Sequence, residues 1–198
     1  MNFYKHIFFI FFFVLGLLVA QNDNGHSAKG AFFTLGVGPR FPIGEFSRKN
    51  DIGPGFNAAI SYTDIEFLPV FFYGKLGYQI YYGNYNYYKT SDFSTLNSSL
   101  FTADIGSKYF FKPIVDDAIL LMPFIEGGIS YAYITEFSQF KIDLGKKNQL
   151  NNFSKFGFHA GVGLSLFLMD VSAGYNYLYQ YQFVYLDLRI TIPVAATL

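Results

Sequence analysis

Residues Leu121–Phe137 read LMPFIEGGISYAYITEF, and their side chains alternate with a period of two, which is typical of a β-strand. One face is apolar with aromatic residues towards its end: Leu121, Pro123, Ile125, Gly127, Ile129, Tyr131 and Tyr133. The alternation outlasts an ordinary strand of about 5–6 residues and matches the roughly 9–11 residues with which a tilted strand crosses a bilayer. Glu126 lies on the other face, which is small or polar after Phe124. The stretch therefore predicts a strand between lipid and a lumen.

The composition favours either a dense soluble β protein or a membrane barrel. Of the 198 residues, 22% are aromatic and 14% are charged, whereas charged residues make up about 25% of a soluble domain. After residue 20 no apolar run approaches the roughly 20 residues of a membrane helix. The chain is thus apolar without a second hydrophobic segment that could span as a helix.

Charge and cysteine content exclude several classes of function. Lys+Arg and Asp+Glu are both 14, so the chain has no net charge, and neither a basic field nor a motif for binding nucleic acid is present. There are no cysteines, which excludes a disulfide framework, a thiolate metal site, a cysteine nucleophile and a lipoprotein anchor. The glycines alternate along strands and form no phosphate-binding motif, so no cofactor is expected.

The amino terminus has the pattern of a secretory signal peptide. Lys5 and His6 precede an almost purely apolar run from Ile7 to Val19, which has the length of a signal core. We expect a signal peptide at residues 1–20 with cleavage after Ala20, a flexible lead-in at residues 21–30 and one barrel domain at residues 31–198. An uncleaved anchor is the alternative.

Seven further segments repeat the alternation of the opening stretch, and none has the pattern of a helix. With Leu121–Phe137 as the fifth, eight strands are predicted. The other seven are Ala31–Val37, Phe56–Thr63, Phe71–Tyr82, Ser99–Phe111, Phe156–Leu168, Val171–Tyr179 and Val184–Ile192.

The connections between these strands alternate in length. The long ones are polar and are expected to be surface loops: Pro39–Asp51, Gly83–Ser98 and Ser138–Asn152. Met169–Asp170 is predicted to form a tight turn. Outer-membrane barrels combine short periplasmic turns with longer outer loops, and eight strands close a barrel that its interior side chains nearly fill. The sequence therefore predicts an all-β, eight-stranded, antiparallel, up-and-down transmembrane β-barrel.

Charged residues of both signs fall on the inward faces of the predicted strands. Buried charges persist only when paired, so we expect one connected, structural ionic network in the lumen, with Lys108 beside Glu126. Individually hydrated charges are the alternative. The predicted members are Lys75, Asp104, Lys108, Glu126, Asp187 and Arg189.

Three segments, together with the signal peptide, resemble the small bacterial outer-membrane β-barrel family, the OmpA/OmpX-like and "porin family" proteins of Gram-negative bacteria. They are LGVGPRFPIGEF at residues 35–46, FIEGGISYAY at 124–133 and FHAGVGLSL at 158–166. The resemblance implies a barrel in the cell outer membrane, in contact with its lipid and inserted by the barrel assembly machinery. It implies no reaction. The chain departs from many relatives by ending IPVAATL rather than on an aromatic residue.

The expected function is non-enzymatic: a structural or interaction protein or a narrow pore, with a protein or surface ligand at its outer loops. No catalytic, cofactor-binding or metal-binding residues are predicted. One alternative is a secreted, soluble, lipocalin-like barrel that binds an apolar ligand. A barrel enzyme is another, for which the only polar candidates are Asp92, Glu136, Asp143 and His159.

Overall fold

A computed structural model describes residues 29–64, 68–114, 121–142 and 146–197, which form a closed barrel of eight strands. Each strand pairs antiparallel with the next, and β8 closes the ring on β1 with Thr34 opposite Thr191. In chain order the strands are β1 Lys29–Pro42, β2 Gly53–Asp64, β3 Leu68–Tyr82, β4 Phe93–Phe110, β5 Leu121–Phe140, β6 Gln149–Leu166, β7 Met169–Leu178 and β8 Phe183–Thr197.

The period of two in the sequence decides which side chains face out. On β5, Ile129 is 68% exposed on the outer surface, while its neighbour Ser130 is buried in the barrel. On β8, Leu188 is exposed and Arg189 is buried. The barrel is therefore apolar outside and polar at its centre, and the prediction of an all-β, eight-stranded, antiparallel, up-and-down barrel is confirmed.

The two ends of the barrel differ, and helices occur at one of them. The loop end carries the connections after β1, β3, β5 and β7, and the turn end carries the others. Two short helices, α1 Glu45–Lys49 and α2 Tyr85–Thr90, lie at the loop end, within the segments that were predicted to be surface loops. Helices of five and six residues are too short to produce a recognisable 3.6-residue pattern.

Several strands continue beyond their predicted limits. β4 begins at Phe93 rather than Ser99, β5 ends at Phe140, and β6 begins at Gln149 rather than Phe156. Similarly, β1 and β8 are longer at both ends than Ala31–Val37 and Val184–Ile192. Polar residues end the hydrophobic pattern but not the backbone pairing. Consequently β4, β5 and β6 rise at the loop end as a three-stranded extension beyond β7.

The turn between β6 and β7 lies two residues earlier than predicted. Phe167 and Leu168 form it, and Met169 and Asp170 are the first residues of β7. Asp170 is buried inside the barrel. The prediction failed because the run Leu166–Met169 is wholly apolar and carries no turn residue.

Some expectations fall outside the described residues. They are the signal peptide with its cleavage after Ala20, most of the lead-in, and Asp143; residues 29 and 30 of the lead-in belong to β1. Within the described ranges no helix is long and apolar enough to cross a membrane.

Candidate functional site

The centre of the lumen holds a paired carboxylate and guanidinium from strands that are not neighbours. Glu126 on β5 accepts hydrogen bonds from Nη1 and Nη2 of Arg189 on β8, at 2.7 and 2.8 Å. The Tyr185 hydroxyl donates a third, at 3.0 Å. All three side chains are buried. Two parallel charge-assisted bonds fix both direction and distance, so this pair cross-links the barrel through its interior.

A second carboxylate extends this group towards β1 and β2. Asp187 accepts from Arg40 Nη1 at 2.6 Å, from Asn57 Nδ2 at 3.0 Å and from Arg189 Nη2 at 3.4 Å. Arg40 was assigned to a surface loop, because Gly38 and Pro39 interrupt the pattern of the first strand. The sequence signal that Arg40 points inward was its spacing of an even number of residues from Thr34, because both residues belong to the inward face of β1.

Two further ion pairs lie beside this group without a direct ionic contact to it. Lys75 Nζ is 3.2 Å from Asp104 Oδ2, and Lys108 Nζ is 3.1 Å from Asp170 Oδ2. The structure therefore brings Glu126, Asp187 and Arg189 together and places the other three predicted residues in separate pairs. Lys108 lies opposite Glu126 in the register of β4 and β5, as expected. Its ammonium group nevertheless pairs with Asp170, which the shifted turn puts inside the barrel.

His159 bridges side chains near the middle of the barrel. Ser130 Oγ lies 2.9 Å from Nδ1, and the Tyr73 hydroxyl contacts Nε2. Asp104 Oδ1 is 4.0 Å from Nδ1. A catalytic triad uses the two ring nitrogens for two different partners, the nucleophile and the acid, whereas here Ser130 and Asp104 approach the same nitrogen. The arrangement thus fits a structural hydrogen-bond network.

The residues considered for a barrel enzyme are not brought together. Asp92 pairs with Lys146 at 2.9 Å on the exposed loop end, and Glu136 accepts a hydrogen bond from the Tyr181 hydroxyl at 2.8 Å. Burial, and then this bond to Glu136, raises the pKa of Tyr181. His159 lies deeper in the barrel. Among the described residues no group of three or more His, Cys, Asp or Glu is arranged to hold a metal ion.

The ion pairs around Glu126, Asp187 and Arg189 form a charged layer across the lumen. Between this layer and the loop end, an aromatic plug closes the barrel. Phe46 of α1 is only 2% exposed, and its ring centroid lies 4.7 Å from that of Tyr81 and 5.1 Å from that of Tyr181. Backbone bonds tether the chain on both sides of α1, from Ile43 N to Gln182 O and from Asp51 N to Tyr82 O. The buried apolar side chains that complete this loop-end plug are Leu100, Ala132, Ile134, Leu178, Phe183 and Tyr185.

A row of inward phenylalanines lines the turn end. Successive ring centroids in Phe32, Phe71, Phe110 and Phe124 are 5.6, 5.0 and 5.4 Å apart. The charged layer therefore lies between two aromatic layers. Sequence reasoning predicted a small or polar lumen and missed both layers, although Phe110 and Phe124 share their strand faces with Lys108 and Glu126.

Little space remains inside the barrel. Two cavities of about 20 Å³ lie along β2 and β3, and Asn57 and Lys75 line both. A volume of this size holds about one water molecule. A larger cavity of about 100 Å³ lies at the loop end between Glu45, Glu136 and Tyr181. The two cavities beside the ion pairs are thus water-sized.

Comparison with known proteins finds similarity of structure only. No family model matches the chain, and no curated protein matches its sequence. Among solved structures, Neisserial surface protein A is 17% identical, with 84% of this chain and 99% of that chain covered at a TM-score of 0.48. Ail of Yersinia pestis, in complex with a heparin analogue, is 12% identical, with 85% of this chain and 100% of that chain covered at a TM-score of 0.49.

The N-terminal β-barrel domain of Pseudomonas aeruginosa OprF is 14% identical, with 83% of this chain and 99% of that chain covered at a TM-score of 0.47. The chain is similar to small outer-membrane β-barrels. At these identities and scores the similarity concerns the fold. Nothing about ligands or activity follows from it for this small barrel.

Proposed function

We propose that this chain is an integral protein of the cell outer membrane, exported through a cleaved signal peptide and acting as a structural or interaction protein. The observation that supports this proposal is a ring of exposed apolar side chains around a buried, ion-paired centre. Every strand contributes to this ring: Leu35, Ile60, Leu76, Ile105, Ile129, Val162, Val171 and Leu188.

The exterior favours lipid over water as the surrounding medium. A soluble lipocalin-like barrel holds its ligand inside an apolar lumen and turns polar residues outward. Here Asp104, Glu126 and Arg189 are buried inside while isoleucine, leucine and valine cover the outside. The soluble alternative would expose the apolar ring to water.

The filled interior argues against an open pore and against an enzyme. Two aromatic layers flank the ion pairs, and the spaces between them are water-sized. Among the residues that the structure describes, no side chains converge beside a cavity in a geometry for general acid–base or nucleophilic catalysis. We therefore place the role at the loop end, where α1, α2 and the extension of β4, β5 and β6 present a surface to a partner.

Membrane extraction tests the proposed location. Membranes from cells expressing the full chain are washed with high salt and with alkaline carbonate and then solubilised with detergent. We expect the protein to stay in the outer-membrane fraction until detergent is added. Release by salt or carbonate alone would contradict integration and favour the soluble barrel.

Conductance separates the structural or interaction role from a narrow pore. The purified monomer, reconstituted in planar bilayers, is expected to show no steady porin-like conductance because side chains fill its interior. A large, steady conductance from the unmodified protein would overturn the closed-barrel part of the proposal. An eight-stranded barrel of known open state provides the positive control.

A further inference from the structure

The turn between β6 and β7 is unusual in being wholly apolar. Leu166 pairs with Met169, so Phe167 and Leu168 are the two residues of a tight hairpin loop. Phe167 is 80% exposed, and the other three side chains are exposed as well. A two-residue hairpin turn normally contains Gly, Asn or Asp, and in water this tip would present four large apolar side chains with no polar group among them.

The backbone of this turn adds a second observation. Phe167 has a φ of 58°, in the left-handed region that a bulky residue rarely adopts. Glycine would take the same position without steric cost. A phenylalanine here opposes the local backbone preference, and an aromatic ring left in water gains nothing to offset that cost. The ring therefore needs an apolar environment outside the barrel.

The position of the turn relative to β8 indicates that environment. Met169 pairs with Ile190, and Leu168 O accepts a hydrogen bond from Thr191 N at 2.8 Å. From this level β8 continues towards the turn end, where Val194 is still 70% exposed on the outer surface. The apolar exterior thus extends past the tip, and the tip is continuous with it. The nearest charge on β7, Asp170, points inward to Lys108.

We propose that Phe167 and Leu168 insert into the boundary between headgroups and acyl chains of the lipid leaflet at the turn end, and anchor the β6–β7 hairpin there. This inference rests on the proposed membrane location. Lipid is the assigned occupant because the tip continues the lipid-facing surface. Aromatic and large apolar side chains favour this boundary region.

The absence of tryptophan in the chain permits single-tryptophan reporters. Phe167→Trp tests the tip, and Leu168→Trp is its neighbour in case the first variant folds poorly. Ile129→Trp marks the middle of the apolar exterior, and Tyr85→Trp, at a position 67% exposed on α2, marks the loop end. Each variant is reconstituted into phosphatidylcholine vesicles that carry bromine at defined acyl depths.

We expect the tip reporters to be quenched most by shallow bromines, Ile129→Trp by deep bromines, and Tyr85→Trp by aqueous iodide only. If Ile129→Trp is quenched by bromolipid while both tip reporters respond only to iodide, the tip lies in water and the anchoring inference is wrong. A protein partner would then be its occupant. If Ile129→Trp also escapes bromolipid quenching, the proposed membrane location itself fails.

Discussion

Arg189 on β8 donates two hydrogen bonds to the Glu126 carboxylate on β5, at 2.7 and 2.8 Å, across the lumen rather than to an adjacent strand. This contact joins strands that share no backbone ladder. Because neither charge is exposed to water in the barrel, each one depends on the other for electrostatic compensation.

Removing either member of this ion pair alone is expected to destabilise the barrel strongly. The losses from removing both members are not expected to add. Glu126→Gln leaves the Arg189 guanidinium short of its partner, and loss of one member of a buried pair costs about 3–5 kcal/mol. The double change Glu126→Gln with Arg189→Met should destabilise less than the sum of the single changes. Urea unfolding in lipid vesicles measures the coupling. Strict additivity would mean that the two groups do not interact.

An exposed ion pair provides the matched control for this cycle. Lys29 and Asp64 are 3.1 Å apart at the turn end, with partly exposed side chains. Asp64→Asn should change the free energy of unfolding by less than about 1 kcal/mol, because solvent screens such pairs. A large effect there would show that the assay responds to charge removal in general.

A charge on the apolar exterior should destabilise the barrel in the membrane according to its depth. Ile129→Arg introduces a guanidinium near the middle of the apolar exterior and should cost about 2–4 kcal/mol. Leu150→Arg provides the control, because Leu150 is also exposed but lies on the extension beyond the last residue of β7. Its cost should stay below about 1 kcal/mol. Equal losses in vesicle unfolding would contradict the assigned membrane boundary.

The loop-end plug should control access to the barrel interior. Ala132 is fully buried within it, and the chain has no cysteine, so Ala132→Cys is a unique thiol. Removal of the Phe46 ring in a Phe46→Ala background should accelerate labelling by a membrane-impermeant maleimide at least about tenfold, which corresponds to about 1.4 kcal/mol of protection. Tyr85→Cys, outside the plug, should react at the same rate in both backgrounds. Unchanged labelling of Ala132→Cys would show that Phe46 does not seal the barrel.

Gly174 should not tolerate a side chain, because the Tyr185 ring occupies the space that a Cβ would take. A Cβ on Gly174 would lie 2.2 Å from the Tyr185 ring, whereas a Cβ on outward-facing Gly74 would have no atom within 4 Å. Gly174→Ala should therefore cost about 1–3 kcal/mol through overpacking, and Gly74→Ala should be neutral or slightly stabilising. Thermal unfolding of the two variants in the same detergent compares them. A neutral Gly174→Ala would indicate that Tyr185 moves freely.

The loop-end structure shows why part of the candidate site could not be predicted. Phe46 lies in a segment whose glycines, prolines and charges favour a surface loop, and nothing local indicates that its ring enters the barrel. Its burial depends on Tyr81 and Tyr181, which are distant in sequence and meet only when β3 and the β7–β8 connection close around it. Similarly, Asp170 joins the lumen because the turn at Phe167–Leu168 lies two residues earlier than predicted and leaves Asp170 within β7.

The sequence by itself determined the eight alternating strands, their order and which face of each points out of the barrel, because a period of two is a local property of a pleated strand. It also placed six charges on the inward faces. Only the tertiary structure decided their partners: Arg40 for Asp187, Asp170 for Lys108, and Glu126 for Arg189. Pairing inside a closed barrel depends on the stagger between strands and on side-chain reach across the lumen, and neither is encoded in the period of any single segment.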